Sequence, residues 1–162
     1  MRRSVVQSLL GFLLPLTLTA GLPLAAVAGL PPATQGLNLE TSRADGVFLK
    51  VTGISVAEAH IDLTLEVTNG SGSWIGLNFI TPNSTMMLID NLGNNYRLVQ
   101  PSDNDTMTVD SETTLKGVFV FAGELDPRAT SLTLVTNSLG QPNNDSNYPT
   151  LRIENIPIPG RS

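Results

Sequence analysis

Apolar and polar residues alternate along much of the chain with a period of two, the spacing of a strand with one buried and one wet face. The alternation starts at Val47, Leu49 and Val51 and is sharpest at Ile61, Leu63, Leu65 and Val67, where Asp62, Thr64 and Glu66 take the intervening positions. Asn69-Gly70-Ser71-Gly72-Ser73 ends that strand in residues suited to a tight turn, and Trp74, Leu77 and Phe79 resume the pattern. Met86 to Asp90 and Tyr96 to Val99 flank the turn cluster Asn91-Leu92-Gly93-Asn94-Asn95 and predict a hairpin. Leu115, Gly117, Phe119 and Phe121 share one face opposite Lys116, Val118 and Val120. Apolar groups on both faces predict a central strand there.

Between these runs the chain reads as loops. Pro101 to Asp110 and Asn137 to Pro149 are polar, and Asp126-Pro127 predicts a single helical turn, with Asp accepting backbone N–H bonds and Pro at the first position. Strands follow at Ser131 to Val135 and Leu151 to Ile158, where Pro157 and Pro159 confine the last to an edge. Seven or eight short strands, regular turns and no long amphipathic segment predict an all-β antiparallel sandwich. The predicted organisation is a signal peptide over 1–28, an extended segment over 29–45 that could lie partly along a sheet edge, a sandwich over 46–158 and a tail over 159–162.

The leader rests on Arg2 and Arg3 followed by the apolar run from Val5 to Ala28, closing on Ala26-Val27-Ala28, which predicts cleavage before Gly29. The run approaches the roughly 20 residues that span a bilayer. Pro15, Gly21 and Pro23 interrupt it, and Gln7, Ser8, Thr17 and Thr19 dilute it, so cleavage is expected over retention as an anchor. With no cysteine at the junction the lipid-anchored route is not expected, and no second apolar span follows. The expected location is extracytoplasmic, secreted or periplasmic, without stable membrane insertion.

Removing the leader takes nine basic residues to seven against fourteen acidic ones, and the formal charge of −5 becomes −7. The remaining cations are scattered, which argues against nucleic-acid binding. About 134 residues remain, enough for one core without covalent staples. The absence of cysteine removes thiol catalysis and thiolate-bound zinc from consideration.

Three segments carry a family resemblance: Leu63-Thr64-Leu65-Glu66-Val67-Thr68-Asn69-Gly70-Ser71; Leu88-Ile89-Asp90-Asn91-Leu92-Gly93-Asn94-Asn95-Tyr96; and Leu115-Lys116-Gly117-Val118-Phe119-Val120-Phe121 with Leu132-Thr133-Leu134. Over about Val47 to Val135 the chain resembles the immunoglobulin-like β-sandwich domains of unknown function found in exported bacterial proteins and lipoproteins. The resemblance implies architecture and export and brings no shared catalytic site. The missing lipobox cysteine departs from the lipoprotein members.

Chemistry-bearing residues are sparse. His60 falls in register with Asp62, Thr64 and Glu66 and is expected to face water. Gly70-Ser71-Gly72-Ser73 reads as a turn and not as a nucleophile elbow. Asp62 and Glu66 share a face but stand about 13 Å apart along a strand, too far for a carboxylate pair acting on one glycosidic bond. No enzyme activity and no cofactor are expected. The one metal candidate of weight is a calcium site from Asp103, Asp105, Asp110 and Glu112 with Asn104, because converging oxygens are what calcium takes. Asn143, Asp145, Asn147 and Glu154 match a calcium loop poorly, with Tyr148 where the turning glycine belongs; Met86, Met87 and Met107 with His60 form a remoter copper reading. Asn-x-Ser/Thr occurs at Asn69, Asn83, Asn104 and Asn144, acceptor sites only on a glycosylating secretory route. The expected function is an exported noncatalytic interaction or accessory module with an extracytoplasmic protein partner. A small extracytoplasmic ligand or calcium-binding protein is the alternative, and a hydrolase ranks third.

Overall fold

The computed structural model describes residues 33–79, 85–138 and 147–161. The leader with its cleavage site, Asn83, Asn143, Asn144 and Asp145 lie outside the described residues.

Strands account for all the regular structure described, in the order β1 (Ala33–Ser42), β2 (Val47–Val56), β3 (His60–Asn69), β4 (Ile75–Gly76), β5 (Met87–Asp90), β6 (Asn95–Leu98), β7 (Thr108–Val109), β8 (Thr113–Ala122), β9 (Ser131–Val135) and β10 (Arg152–Pro157). Eight of them form one antiparallel sheet in the order β1-β2-β3-β8-β6-β5-β9-β10, and β4 pairs with β7. The all-β, antiparallel expectation holds. The sheet curls until β1 and β10 come close, with no ladder between them among the described residues, so the whole is nearly a barrel. The join between β8 and β6 is short, only Arg97 opposite Ala122 and Leu98 opposite Phe121.

Alternation along β3 explains its central place. Ile61, Leu63, Leu65 and Val67 are at most 1 % exposed, and β3 pairs along its whole length with β8, from His60 opposite Ala122 to Asn69 opposite Thr113. Phe119 and Phe121 are buried from the β8 side, and Leu132, Leu134, Ile153 and Ile156 meet them from β9 and β10. Burying each such side chain is worth about 1.5 to 3 kcal/mol, which is why a chain without cysteine holds this core. β8 is central in the strand order, as its two apolar faces predict, yet Val118 on its outer face is 61 % exposed, with no layer over that side among the described residues.

Three local features depart from the pattern read along the chain. Residues 33–42, within the extended segment expected to lie partly along a sheet edge, form an edge strand over their whole length, from Ala33 opposite Val56 to Ser42 opposite Phe48 with a register shift between Gly36 and Leu39. In β2 the pairing steps from Val51 opposite Leu65 to Gly53 opposite Thr64, so Thr52 is an extra residue and the buried face moves from Val51 to Ile54. At Asp126-Pro127 a hydrogen-bonded turn replaces the expected helical turn: the Ala129 N–H donates to the Asp126 carbonyl at 3.0 Å, and the Arg128 N–H to Asp126 Oδ1 at 2.8 Å. The side-chain bond offers the backbone an alternative to continuing a helix.

Candidate functional site

The curled sheet has two loop-bearing ends, and the residues singled out by sequence fall mainly at the end holding the β3–β4 and β7–β8 connections. Asp103, Asp105, Asp110 and Glu112 are all exposed there, and their carboxylates make no hydrogen bond or ion pair among the described residues. The loop is closed by other atoms. Asn104 Oδ1 accepts the Thr108 N–H at 2.7 Å while its Nδ2 donates to the Thr108 carbonyl at 3.0 Å, and fully buried Met107 anchors the loop to the core. Among the described residues no group of three or more His, Asp or Glu is placed to hold a metal ion. Glu154 of the poorer calcium pattern is engaged with Arg152 at 2.6 Å. Met86, Met87 and Met107 are buried, whereas His60 opens β3 at the far end with its Nε2 3.7 Å from Asp62 Oδ1.

Sequence reasoning missed what builds this end: three buried asparagines, hidden among many turn asparagines. Asn69 Nδ2 donates to the Ser73 and Val109 carbonyls, both at 2.9 Å, and Asn69 Oδ1 accepts from the Ser71 N–H and hydroxyl. Its amide is committed, so the folded chain offers no glycan acceptor at Asn69. Asn78 joins the Asp105 carbonyl at 2.7 Å to the Met86 N–H at 2.9 Å. Asn137, with φ of 48°, donates to the Gly76 and Pro149 carbonyls and accepts the Phe79 N–H at 2.8 Å. An amide with one acceptor oxygen and two donor hydrogens is the side chain that satisfies irregular buried backbone of both polarities. The signal that could have marked them is position, since Asn69 is the last residue of β3 and Asn137 stands two residues beyond the end of β9.

The opposite end gathers the β2–β3, β5–β6 and β8–β9 connections. Its hub is Asp90, 5 % exposed, whose Oδ1 accepts the Leu92 and Asn94 N–H groups and whose Oδ2 accepts Asn94 Nδ2 and the Tyr96 hydroxyl at 2.8 and 2.9 Å. The Tyr96 oxygen in turn accepts the Asp126 N–H at 3.3 Å, tying the β5–β6 turn to the β8–β9 turn. Gly123, with φ of 130°, lies so close to Tyr96 that an added Cβ would stand 3.0 Å from its Cδ1. Its N–H reaches the Ala59 carbonyl at 3.0 Å and brings in the β2–β3 turn. Arg161 closes the set, its Nη1 donating to the Asp126 carbonyl at 2.5 Å and the Ala129 carbonyl at 3.2 Å.

Two hollows open on these turns and share Glu124, Leu125 and Pro127 as a common wall. One, of about 360 Å³, runs toward Asn94, Asn95 and Tyr96; the other, of about 230 Å³, runs toward Val56, Ala57 and Glu58. Asp126 is gripped by Arg128 through Nε at 3.1 Å and Nη2 at 2.9 Å. Glu58 and Glu124 are exposed and have no ion pair among the described residues.

Every resolved shift in acidity lies here. Burial raises the Asp90 carboxyl, but the bonds from Asn94, Tyr96 and Leu92 outweigh it and leave the group below its ordinary value. Burial, followed by the bond and charge of Asp90, pushes the Tyr96 phenol up against the opposing Asp126 N–H. The bonds from Arg128 take Asp126 down to about 2, and the carboxylate lifts Arg128 in return. These groups are held more firmly in their usual neutral-pH charge states, the reverse of what proton transfer near neutrality needs.

Among the described residues no helix is long and apolar enough to cross a membrane, a fact that does not bear on strands. Comparison with protein-family models, curated proteins and solved structures finds no match to this chain.

Proposed function

We propose that the chain is an exported, noncatalytic immunoglobulin-like module that acts outside the cytoplasm by binding another protein. The observation that carries this reading is the hollowed end: open to solvent, fixed by fully bonded side chains, and with its resolved ionisations driven away from neutrality. Such a surface suits recognition, where rigid groups lose little freedom on binding. The immunoglobulin-like form is favoured by the strand order. Parted at the two-residue join of β6 and β8, it yields the halves β1-β2-β3-β8 and β6-β5-β9-β10, facing one another across the apolar core. Export is favoured by the basic start, the interrupted apolar run and the Ala26-Val27-Ala28 close.

The test is fractionation of a Gram-negative host expressing the full chain with a C-terminal tag. The protein is expected in the osmotic-shock fluid, without detergent, and N-terminal sequencing is expected to begin at Gly29. Recovery in the membrane fraction with Met1 retained would overturn export as a free module.

A further inference from the structure

We infer that the hollowed end takes a basic, extended peptide segment, one lysine or arginine laying its apolar stem against Leu125, Pro127 and Val56 and meeting Glu58 and Glu124 with its cationic head. This rests on the reading of the chain as an interaction module and names the partner's chemistry.

Charge complementarity on a preformed surface favours this occupant. The smaller hollow has Val56, Ala57, Leu125 and Pro127 in its lining, with Glu58, Glu124 and Arg161 as its charged members. A long cationic side chain has that same division, an apolar stem under a charged head. Of the two arginines nearby, Arg128 pairs with the Asp126 carboxylate, while Arg161 is bonded to the neutral Asp126 and Ala129 carbonyls and keeps its charge; neither makes an ion pair with Glu58 or Glu124 among the described residues. With Asp90 and Asp126 the carboxylates gathered here number four against these two guanidiniums, so the hollow remains net acidic. The neighbouring hollow continues past the shared wall toward Asn94 and Asn95, which gives an extended segment amide partners beyond its cationic residue.

The walls are rigid before any ligand arrives. The Asp90–Tyr96–Asp126 chain of bonds, the Gly123 N–H on Ala59 and the Arg161 clamp hold all three turns in place. The acidic chain also draws a basic partner from a distance, an attraction that salt weakens.

The test is a titration of the ¹⁵N-labelled chain, as purified from the export host, with the capped peptide Ala-Lys-Ala-Arg-Ala, and with the same peptide carrying Glu at both basic positions. Saturable amide shifts are expected at 57–59, 123–126 and 128 with the basic peptide alone. Glu58→Gln with Glu124→Gln is expected to weaken binding at least tenfold. Asp103→Asn with Glu112→Gln, which removes the same charge from the opposite end, is expected to leave it within twofold. Neither pair has a bonded carboxylate among the described residues, and unchanged melting temperatures check that both variants remain folded. Absence of saturation, shifts centred on 103–112, or equal weakening by both double variants would each overturn the inference. Fractionation reads export independently, so a failed titration of a properly exported chain overturns this site and leaves the export reading standing.

Discussion

At one end of the curled sheet, Asn69, Asn78 and Asn137 staple the loops with neutral amides; at the other, Asp90 gathers four donors onto a buried carboxylate. The first solution serves backbone of both polarities, because each amide both gives and accepts. The second serves donors only and carries a charge into partial burial, a cost that only a complete set of hydrogen bonds offsets. The difference teaches where rigidity is concentrated. The asparagine end hides its polar groups and leaves its exposed carboxylates in a loop held by other atoms. The aspartate end fixes three separate turns around an open hollow, with two carboxylates in its lining that make no ion pair among the described residues.

Removing one member from each network separates the two designs. Asn137→Ala is expected to have the largest effect, about 2 to 4 kcal/mol in denaturant melts, because it removes the partner of the Phe79 N–H and a donor from each of the Gly76 and Pro149 carbonyls, the second of which keeps the Thr136 hydroxyl, and leaves alanine at positive φ. A loss below about 0.5 kcal/mol would mean that water replaces the amide and that this end is not stapled.

Tyr96→Phe is expected to cost about 1 to 2 kcal/mol near neutral pH, since Asp90 keeps its other three donors. Its pH dependence is the sharper reading. Asp90 titrates below its ordinary 3.8 in the folded chain, so its contribution is complete above that value and lost as the pH falls through the folded one. Asp126, at about 2, behaves alike. Melts of the two proteins should therefore converge as acid is added below 3.8. A gap that stays constant to the lowest pH would show that the hydroxyl acts without the carboxylate.

The smallest expected effect is calcium at the asparagine end. Millimolar Ca²⁺ should leave the melting temperature unchanged, because Asp103, Asp105, Asp110 and Glu112 are not gathered around a point. A ligand that bound only the folded state would raise it by mass action. A rise of several degrees, lost in Asp103→Asn with Asp105→Asn, would transfer the binding role from the hollow to this loop.

How much of this was legible depends on how local the cause is. The β3 and β8 faces could be read directly, because alternation is a property of neighbouring residues and Leu63, Leu65, Phe119 and Phe121 occupy the core it predicts. β1 was obscured: it is an edge strand with only Leu37 and Leu39 packed against the core, and its first four residues are exposed, so its pattern is faint. The shift at Thr52 was invisible for a related reason, since a bulge is defined by the partner strand. The candidate site was harder still. Glu58 and Glu124 lie 66 residues apart and join one hollow because β3 pairs with β8 as far as His60 opposite Ala122 and the Gly123 N–H meets the Ala59 carbonyl.

By itself the sequence determined the strand class, the inward residues of β3 and the paired phenylalanines of β8, the acidic charge and the absence of thiol chemistry, since each follows from local pattern or composition. Tertiary structure alone decided which asparagines are buried staples, which aspartate becomes a hub and which glutamates share a hollow. Burial and partnership are set by segments distant in the chain. An Asn in a solvated turn and an Asn bonded to three buried backbone groups are the same letter, distinguished only by what the fold brings to them.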